Sequence, residues 1–387
     1  MKHRSLKALP LGLVALAASA CSQPPQAPQA PPPAPHGYVE GAEETAEVQS
    51  RLVVADDGGA VRMLDLLTEE VRALEPVPGI RDVTTDGRFA YLSGADSVRI
   101  VDSGAWTVDH GDHAHHYRAE TRELGELPIA TPVHAHSDKA VVALSGSDGE
   151  TALLDKEALD DGQIERTGRV RVMPGTAAVP YEQRVLAVDH GVVRVLDRDG
   201  TETARITEPC NEPAGTAVTR RGVVFGCTDG ALLVSADDGQ FHGEKIAYPA
   251  GGQPRATEFH QRPGSDTLAA LAGTDGAWLL DLSERSFRHV PTGPVAAVNA
   301  VGAGGSLLAV GTDGIVRAYR EDGTEIARNQ VIAPGGPPPS IRIDTSRAYV
   351  NDVTAGTVHE IDYNDGLRIA RSFRLGGRAS HVVETGR

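Results

Sequence analysis

The chain has 387 residues, of which 53 are acidic and 37 are lysine or arginine, so its formal net charge is −16. No block of basic residues occurs in the part expected to fold, which excludes nucleic acid as an expected partner. Residues 45–387 are numerous enough for two ordinary domains. Whether these residues form one domain or two is indicated by their internal repeats.

The N-terminus has the three parts of a secretory signal peptide in residues 1–20. Basic "MKHRSLK" is followed by apolar "ALPLGLVALAA" and by small residues before Cys21. A cysteine in that position predicts lipidation, with plain secretion as the alternative. Residues 21–44 are rich in proline and predict a lipid-anchored, semi-rigid tether. We expect an exported protein of the bacterial cell envelope or periplasm, in contact with a membrane only through its lipid.

Residues 45–387 contain eight related units with a period of about forty residues. Each has a short apolar strand, a turn rich in Asp and Gly, and a second apolar strand, as in "SLLAVGTDGIVRAYREDG" from Ser306. Alternation and β-branched residues indicate strands, and Asp-Gly turns indicate hairpins. The pattern predicts one all-β domain, a β-propeller of eight blades, or of seven if the first unit is not a full blade.

The two ends of this repeat array complement each other. The first unit lacks an innermost strand, and the C-terminal "ASHVVETGR" is a strand with no unit after it. Pairing of the N-terminal and C-terminal strands would close the ring and remove its free edges. In an oxidising compartment Cys210 and Cys227, which both belong to the fifth unit, are expected to form a disulfide.

The most unusual segment is "DHGDHAHHY", from Asp109 to Tyr117. It lies between the third and fourth strands of the second unit, on the propeller face that carries the turns between first and second strands. The next innermost strand carries "VHAH" toward that face, with both imidazoles on one side by alternation. A solvated polar loop is the alternative to a metal site. The expected ligands are His113, His115, His134, His136 and Asp112, with His110 and His116 as secondary candidates.

Imidazole and carboxylate ligands suit tetrahedral Zn²⁺, and they do not exclude Cu²⁺ or Ni²⁺. Glu258 and His260, in "TEFH", align with His134 and His136 and predict a weaker second site. His381, on the closing strand, is a further candidate.

The segments "SGAWTVDHGDHAHHYRA", "VHAHSDKAVV" and the pair Cys210 and "VFGCTDG" resemble the AztD family of exported zinc metallochaperones. The resemblance runs along the propeller from about residue 45 onward. It implies a protein that holds Zn²⁺ and delivers it to the solute-binding protein of a zinc ABC importer. It also implies that His113, His115, His134 and His136 are ligands, with Asp112 as a further candidate.

Two other functions are compatible with a propeller. A metal-dependent hydrolase or lactonase would use a His-bound zinc to activate water, with Glu258 as a general acid or base. The chain has no G-x-S-x-G motif and no conspicuous pair of carboxylates, so we expect no catalytic residues and no enzyme activity. A metal-free surface interaction protein is the third possibility that the fold allows.

Overall fold

The computed structural model describes residues 38–110, 113–274, 276–302 and 304–387. The signal peptide, Cys21 and most of the predicted tether lie outside these residues, as does Asp112. The described residues form one compact unit. No helix in the described ranges has the length and apolar character needed to cross a membrane.

The first half of the chain contains eighteen strands and the one helix found among the described residues. In chain order they are β1 (Glu43–Thr45), β2 (Arg51–Ala55), β3 (Val61–Asp65), β4 (Val71–Leu74), β5 (Asp82–Thr85), β6 (Phe89–Ser93), β7 (Ser97–Asp102), β8 (Ala105–Asp109) and β9 (Ala114–Arg118). There follow β10 (Arg122–Pro128), β11 (Val133–Ser137), β12 (Val141–Gly146), β13 (Glu150–Asp155), α1 (Lys156–Asp160), β14 (Arg166–Arg171), β15 (Val179–Tyr181), β16 (Arg184–Asp189), β17 (Val192–Leu196) and β18 (Glu202–Arg205).

The second half is entirely built of strands and turns in its described residues. Its strands are β19 (Thr216–Thr219), β20 (Gly222–Cys227), β21 (Gly230–Asp237), β22 (Gln240–Ala247), β23 (Thr267–Leu271), β24 (Ala277–Asp281), β25 (Ser286–Val290) and β26 (Val295–Ala300). The last are β27 (Leu307–Gly311), β28 (Ile315–Tyr319), β29 (Glu325–Gln330), β30 (Ile341–Ile343), β31 (Ala348–Asp352), β32 (Thr357–Asp362), β33 (Arg368–Arg374) and β34 (His381–Thr385).

The strands β1, β9 and β8 form a separate three-stranded sheet, and the other strands form eight antiparallel sheets that follow one another along the chain. Seven have four strands each: β34-β2-β3-β4, β5-β6-β7-β10, β11 to β14, β15 to β18, β19 to β22, β26 to β29 and β30 to β33. The remaining sheet, β23 to β25, is extended at its inner edge by a bridge between His260 and Ala269. The prediction of an all-β propeller is confirmed, as is the pairing of the N-terminal and C-terminal strands, β2 with β34.

The hydrophobic core consists of separate clusters between neighbouring sheets. One cluster combines Val53 of β2 with Leu92 of β6, and another combines Leu144 of β12 with Ile100 of β7. The first and last sheets share a cluster too, in which Leu52 packs with Tyr349 of β31. Because each sheet is covered on both faces, its second strand is buried throughout, as in β2, β6, β20 and β27. The ring therefore closes through packing as well as through strand pairing.

The Asp-rich turns join the strands in the way that their sequence indicates. In the turn between β2 and β3, the Asp56 carboxylate accepts hydrogen bonds from the backbone N–H groups of Gly58 (2.9 Å) and Ala60 (3.1 Å). The fifth sheet carries the predicted disulfide, Cys210–Cys227, with both cysteines buried.

Candidate metal site at the channel mouth

A β-hairpin made of β8 and β9 is inserted between β7 and β10, where the sequence predicts an enlarged connection. The chain leaves β7 at Gly104, whose φ is +71°. A Cβ atom at this position would lie 2.4 Å from the carbonyl oxygen of Ala119, so the base of the hairpin requires glycine. The Ala119 N–H donates to the Gly104 carbonyl at 2.7 Å and closes that base.

Buried charges and aromatic rings hold the hairpin against the second sheet. The Asp102 carboxylate accepts hydrogen bonds from Arg88 Nε (3.1 Å) and Nη2 (2.8 Å) and from Arg122 Nη2 (2.7 Å). The Arg88 guanidinium lies 3.8 Å from the ring centroid of Trp106, which stacks on Tyr117 at 5.3 Å. The base of the hairpin is therefore rigidly placed.

The far end of the hairpin extends across the propeller face that carries the turns between first and second strands. Asp109 forms an ion pair of 2.6 Å with Arg220, in the turn between β19 and β20 of the fifth sheet. Closer to the base, Thr107 Oγ1 donates to the carbonyl of Gly386 at 3.0 Å. The predicted face is confirmed, and the hairpin lies at one mouth of the channel.

Three histidines of this hairpin come together and form what we call the hairpin triad: His110, His113 and His115. Each offers a ring nitrogen, and the three nitrogens lie within 4.8 Å of one another. The rings of His110 and His113 stack at 4.9 Å, and that of His115 stands at 81° to His113. His110 and His113 are exposed and His115 is half-buried. Three imidazoles are enough to hold a zinc ion and leave a fourth position open.

The hairpin triad contains two of the five expected ligands, His113 and His115, together with His110, which was a secondary candidate. His110 belongs to it, whereas His116 faces Thr107 on the other side of the hairpin, with 3.0 Å between His116 Nδ1 and Thr107 Oγ1. Neighbouring residues of a strand point to opposite faces, so His115 and His116 cannot both join one site. Asp112 falls between two triad members in sequence and lies outside the described residues.

His134 and His136 are placed elsewhere. They line a cavity of about 640 Å³ surrounded by innermost strands, and neither is part of the hairpin triad. Glu258 and His260 line the same cavity, with 3.7 Å between His260 Nε2 and Glu258 Oε1. We call these four residues the channel group. The structure thus separates His134 and His136 from the hairpin triad and places them with the pair predicted as a second site, because β11 presents its histidines to the channel interior.

Burial favours the uncharged form of two imidazoles of the channel group, those of His136 and His260. Burial, with a smaller contribution from His134, lowers the pKa of His136 to about 4. Burial also lowers the pKa of His260, against the opposing effect of Glu258 and with a further lowering effect of Arg342. Neutral imidazoles carry the lone pairs that metal ions need. His381, the remaining candidate, is outside the cavity lining and lies 3.9 Å from Asp82 Oδ1 through its Nδ1 atom.

Sequence reasoning missed one residue next to the hairpin triad. Glu44 Oε1 lies 2.7 Å from His115 Nδ1, although 71 residues separate the two in sequence. Glu43 and Glu44 were expected to end the tether, yet they belong to β1, which pairs with β9. A three-residue strand without hydrophobic alternation gives no periodic signal, so only the fold reveals this contact.

Comparison with known proteins identifies the fold. No family model matches the sequence, and no curated protein does so either. AztD from Citrobacter koseri has a similar structure, with a TM-score of 0.74 and 20% identity over 88% of this chain and 98% of that chain. The apo form of that protein gives 0.73 and 18% over the same shares. Sqt1 from Chaetomium thermophilum gives 0.53 and 17% over 78% and 88%. The chain therefore has an AztD-type propeller fold.

Proposed function

We propose that this protein binds Zn²⁺ outside the cytoplasm and delivers it to the solute-binding protein of a zinc ABC importer. The observation that carries this proposal is the hairpin triad, in which three imidazole nitrogens lie within 4.8 Å of one another at the channel mouth. Zinc is favoured because the two cysteines among the described residues form a disulfide and offer no thiolate for softer metals. Cu²⁺ and Ni²⁺ share the preference for imidazole and serve as competitors in the test.

Delivery is supported by the position of the hairpin triad. Two of its three histidines are exposed, so a partner's ligand can approach the metal and enter the open fourth position. The net charge of −16 favours cations near the surface. The resemblance to zinc metallochaperones, and the AztD-type fold, support the same function.

Export is part of this proposal. The disulfide is typical of an oxidising compartment, and the signal peptide and Cys21 predicted in the sequence provide a route to it and an anchor. A protein tethered in this way would meet soluble partners in the cell envelope.

A zinc hydrolase is the alternative that the ligand set itself suggests, because three histidines with an open position can also activate water. Glu258, the general acid or base that such an enzyme was expected to use, belongs to the channel group and is absent from the hairpin triad. We therefore favour binding and delivery over catalysis.

His113→Ala is expected to weaken zinc binding about 100-fold, or about 2.7 kcal/mol, because it removes one of three ligands. Competition with a chromophoric chelator measures this affinity, and elemental analysis gives the stoichiometry. His116→Ala is the matched control, since His116 lies on the same hairpin and faces away from the hairpin triad. Equal affinities of the two variants, or a wild-type protein that binds no zinc, would contradict the proposed function and favour a metal-free interaction protein.

A further inference from the structure

The segment that precedes the propeller contributes a strand to the mouth hairpin. β1 pairs with the edge of β9, with Glu43 opposite Arg118 and Glu44 opposite Tyr117. The hairpin thus becomes the three-stranded sheet β1-β9-β8. The chain ahead of the propeller is in this way joined to the strand that carries His115.

Strand alternation places Glu44 on the same face as His115. Residues directly opposite share a face, so Glu44 shares the face of Tyr117, and His115 lies two positions from Tyr117 on that face. The Tyr117 and His115 rings are 6.4 Å apart and nearly parallel. Glu44 is therefore the diagonal neighbour of His115 and reaches it with a side-chain hydrogen bond.

This hydrogen bond has a defined chemical consequence for His115. A carboxylate only accepts hydrogen bonds, so the contact between Glu44 Oε1 and His115 Nδ1, at 2.7 Å, requires the proton on Nδ1. The other ring nitrogen, Nε2, then carries the lone pair. Metal-binding histidines commonly have a carboxylate in this position, which orients the ring and raises the basicity of the ligating nitrogen.

Glu44 itself is not a member of the hairpin triad, which consists of three histidines only. Its carboxylate is engaged with His115 Nδ1. A role through His115 therefore fits the geometry better than direct ligation.

We propose that Glu44 is a positioning residue of the zinc site: when β1 docks on β9, Glu44 holds His115 in the tautomer that presents Nε2 to zinc. This inference rests on the proposed function. It extends that function by making the segment ahead of the propeller a part of the site.

The chain offers a matched control one residue away. Glu43 lies on the same strand and forms an ion pair of 2.6 Å with Arg118 on the opposite face. Glu43→Ala removes a carboxylate from β1 without touching His115. A loss of binding caused only by weaker docking of β1 would appear in both variants.

Glu44→Ala is expected to weaken zinc binding by about 10- to 100-fold, the range typical of carboxylates behind a ligating histidine. Glu44→Gln keeps a hydrogen-bond acceptor without the charge, so we expect a smaller loss. Glu43→Ala is expected to bind zinc like the wild type. Chelator competition with the full protein measures all three affinities.

A second measurement reports the tautomer of the His115 imidazole. Long-range ¹H–¹⁵N spectra of the metal-free protein should show His115 protonated on Nδ1 in the wild type and in Glu43→Ala, and a mixture of tautomers in Glu44→Ala. Equal zinc affinities of Glu44→Ala and Glu43→Ala, or a His115 tautomer that does not respond to Glu44→Ala, would overturn the inference. If His113→Ala loses zinc while Glu44→Ala does not, only the role of Glu44 fails. If the wild type binds no zinc, the proposed function fails with it.

Discussion

Asp102→Asn is expected to lower the free energy of unfolding by about 3–5 kcal/mol, because it leaves buried arginine charge without its main partner. Asp102 is 1% exposed and Arg88 is 5% exposed. Burial alone would raise the pKa of Asp102, but hydrogen bonds from Arg88 and Arg122 outweigh it and the pKa is lowered. Asparagine has no charge and only one acceptor oxygen, so it cannot keep all three hydrogen bonds from Arg88 and Arg122. Urea denaturation of the wild type and the variant measures the difference.

The control for this prediction is Asp365→Asn, the same substitution in an exposed ion pair. Asp365 pairs with Arg368 at 2.8 Å, and both side chains are more than half exposed. Such pairs contribute roughly 0–1 kcal/mol, so a small effect is expected. If Asp102→Asn were no more destabilising than Asp365→Asn, the network would not hold the base of the mouth hairpin.

Glu384→Gln is expected to make the protein more stable at pH 8 than the wild type, with much less difference at pH 5. Glu384 lies on the closing strand β34, is 2% exposed, and accepts one hydrogen bond from Ser50 Oγ at 3.2 Å. Its second carboxyl oxygen has no hydrogen-bonding partner among the described residues. Burial, as the largest cause, raises the pKa of this carboxyl to about 7. The sequence gives no sign of this group, since a Glu on a short terminal strand is usually exposed.

The sign of the effect follows from the direction of the shift. The folded state holds this proton more tightly than the unfolded chain, whose carboxyl has its ordinary pKa of 4.5. Stability is therefore lost as the pH rises from about 4.5 to about 7, and the total is about 3 kcal/mol from the difference between the two pKa values. Glutamine stays neutral over the whole range and removes this loss.

Urea denaturation at pH 5 and pH 8 tests the prediction, with Glu126→Gln as the control. Glu126 is exposed, and a hydrogen bond from Arg99 holds its pKa below the ordinary value, so it stays ionised across this window. The control should therefore change stability by the same amount at both pH values. Parallel pH profiles of wild type and Glu384→Gln would contradict a buried, proton-binding Glu384.

The features that sequence predicted best depend on local, repeated patterns. Alternating apolar residues and Asp-Gly turns recur in every unit, so the strands, the propeller and the pairing of β34 with β2 follow from period and count. The Cys210–Cys227 disulfide followed from two cysteines in one unit of an exported chain. The enlarged connection that carries the histidines was placed on the correct face by propeller topology alone.

The composition of the hairpin triad was predicted only in part, because it depends on side-chain direction and long-range pairing. The register of the hairpin strands brings His110 close to His113 and His115, whereas His116 faces away from them. Asp112 lies outside the described residues. The position of His134 and His136 in the cavity depends on how the innermost strands tilt around the channel. Glu44 reaches the site through a pairing across 71 residues, which no local pattern indicates.

The location of the bound ion is the most direct test of zinc binding at the hairpin triad. Crystals of the protein grown with one equivalent of Zn²⁺ would be measured with anomalous diffraction at the zinc absorption edge. A single strong peak is expected about 2.0–2.1 Å from Nε2 of His115 and from a ring nitrogen of His110 and of His113. A peak among the channel group, with none at the hairpin triad, would contradict it and move the site to His134, His136, Glu258 and His260.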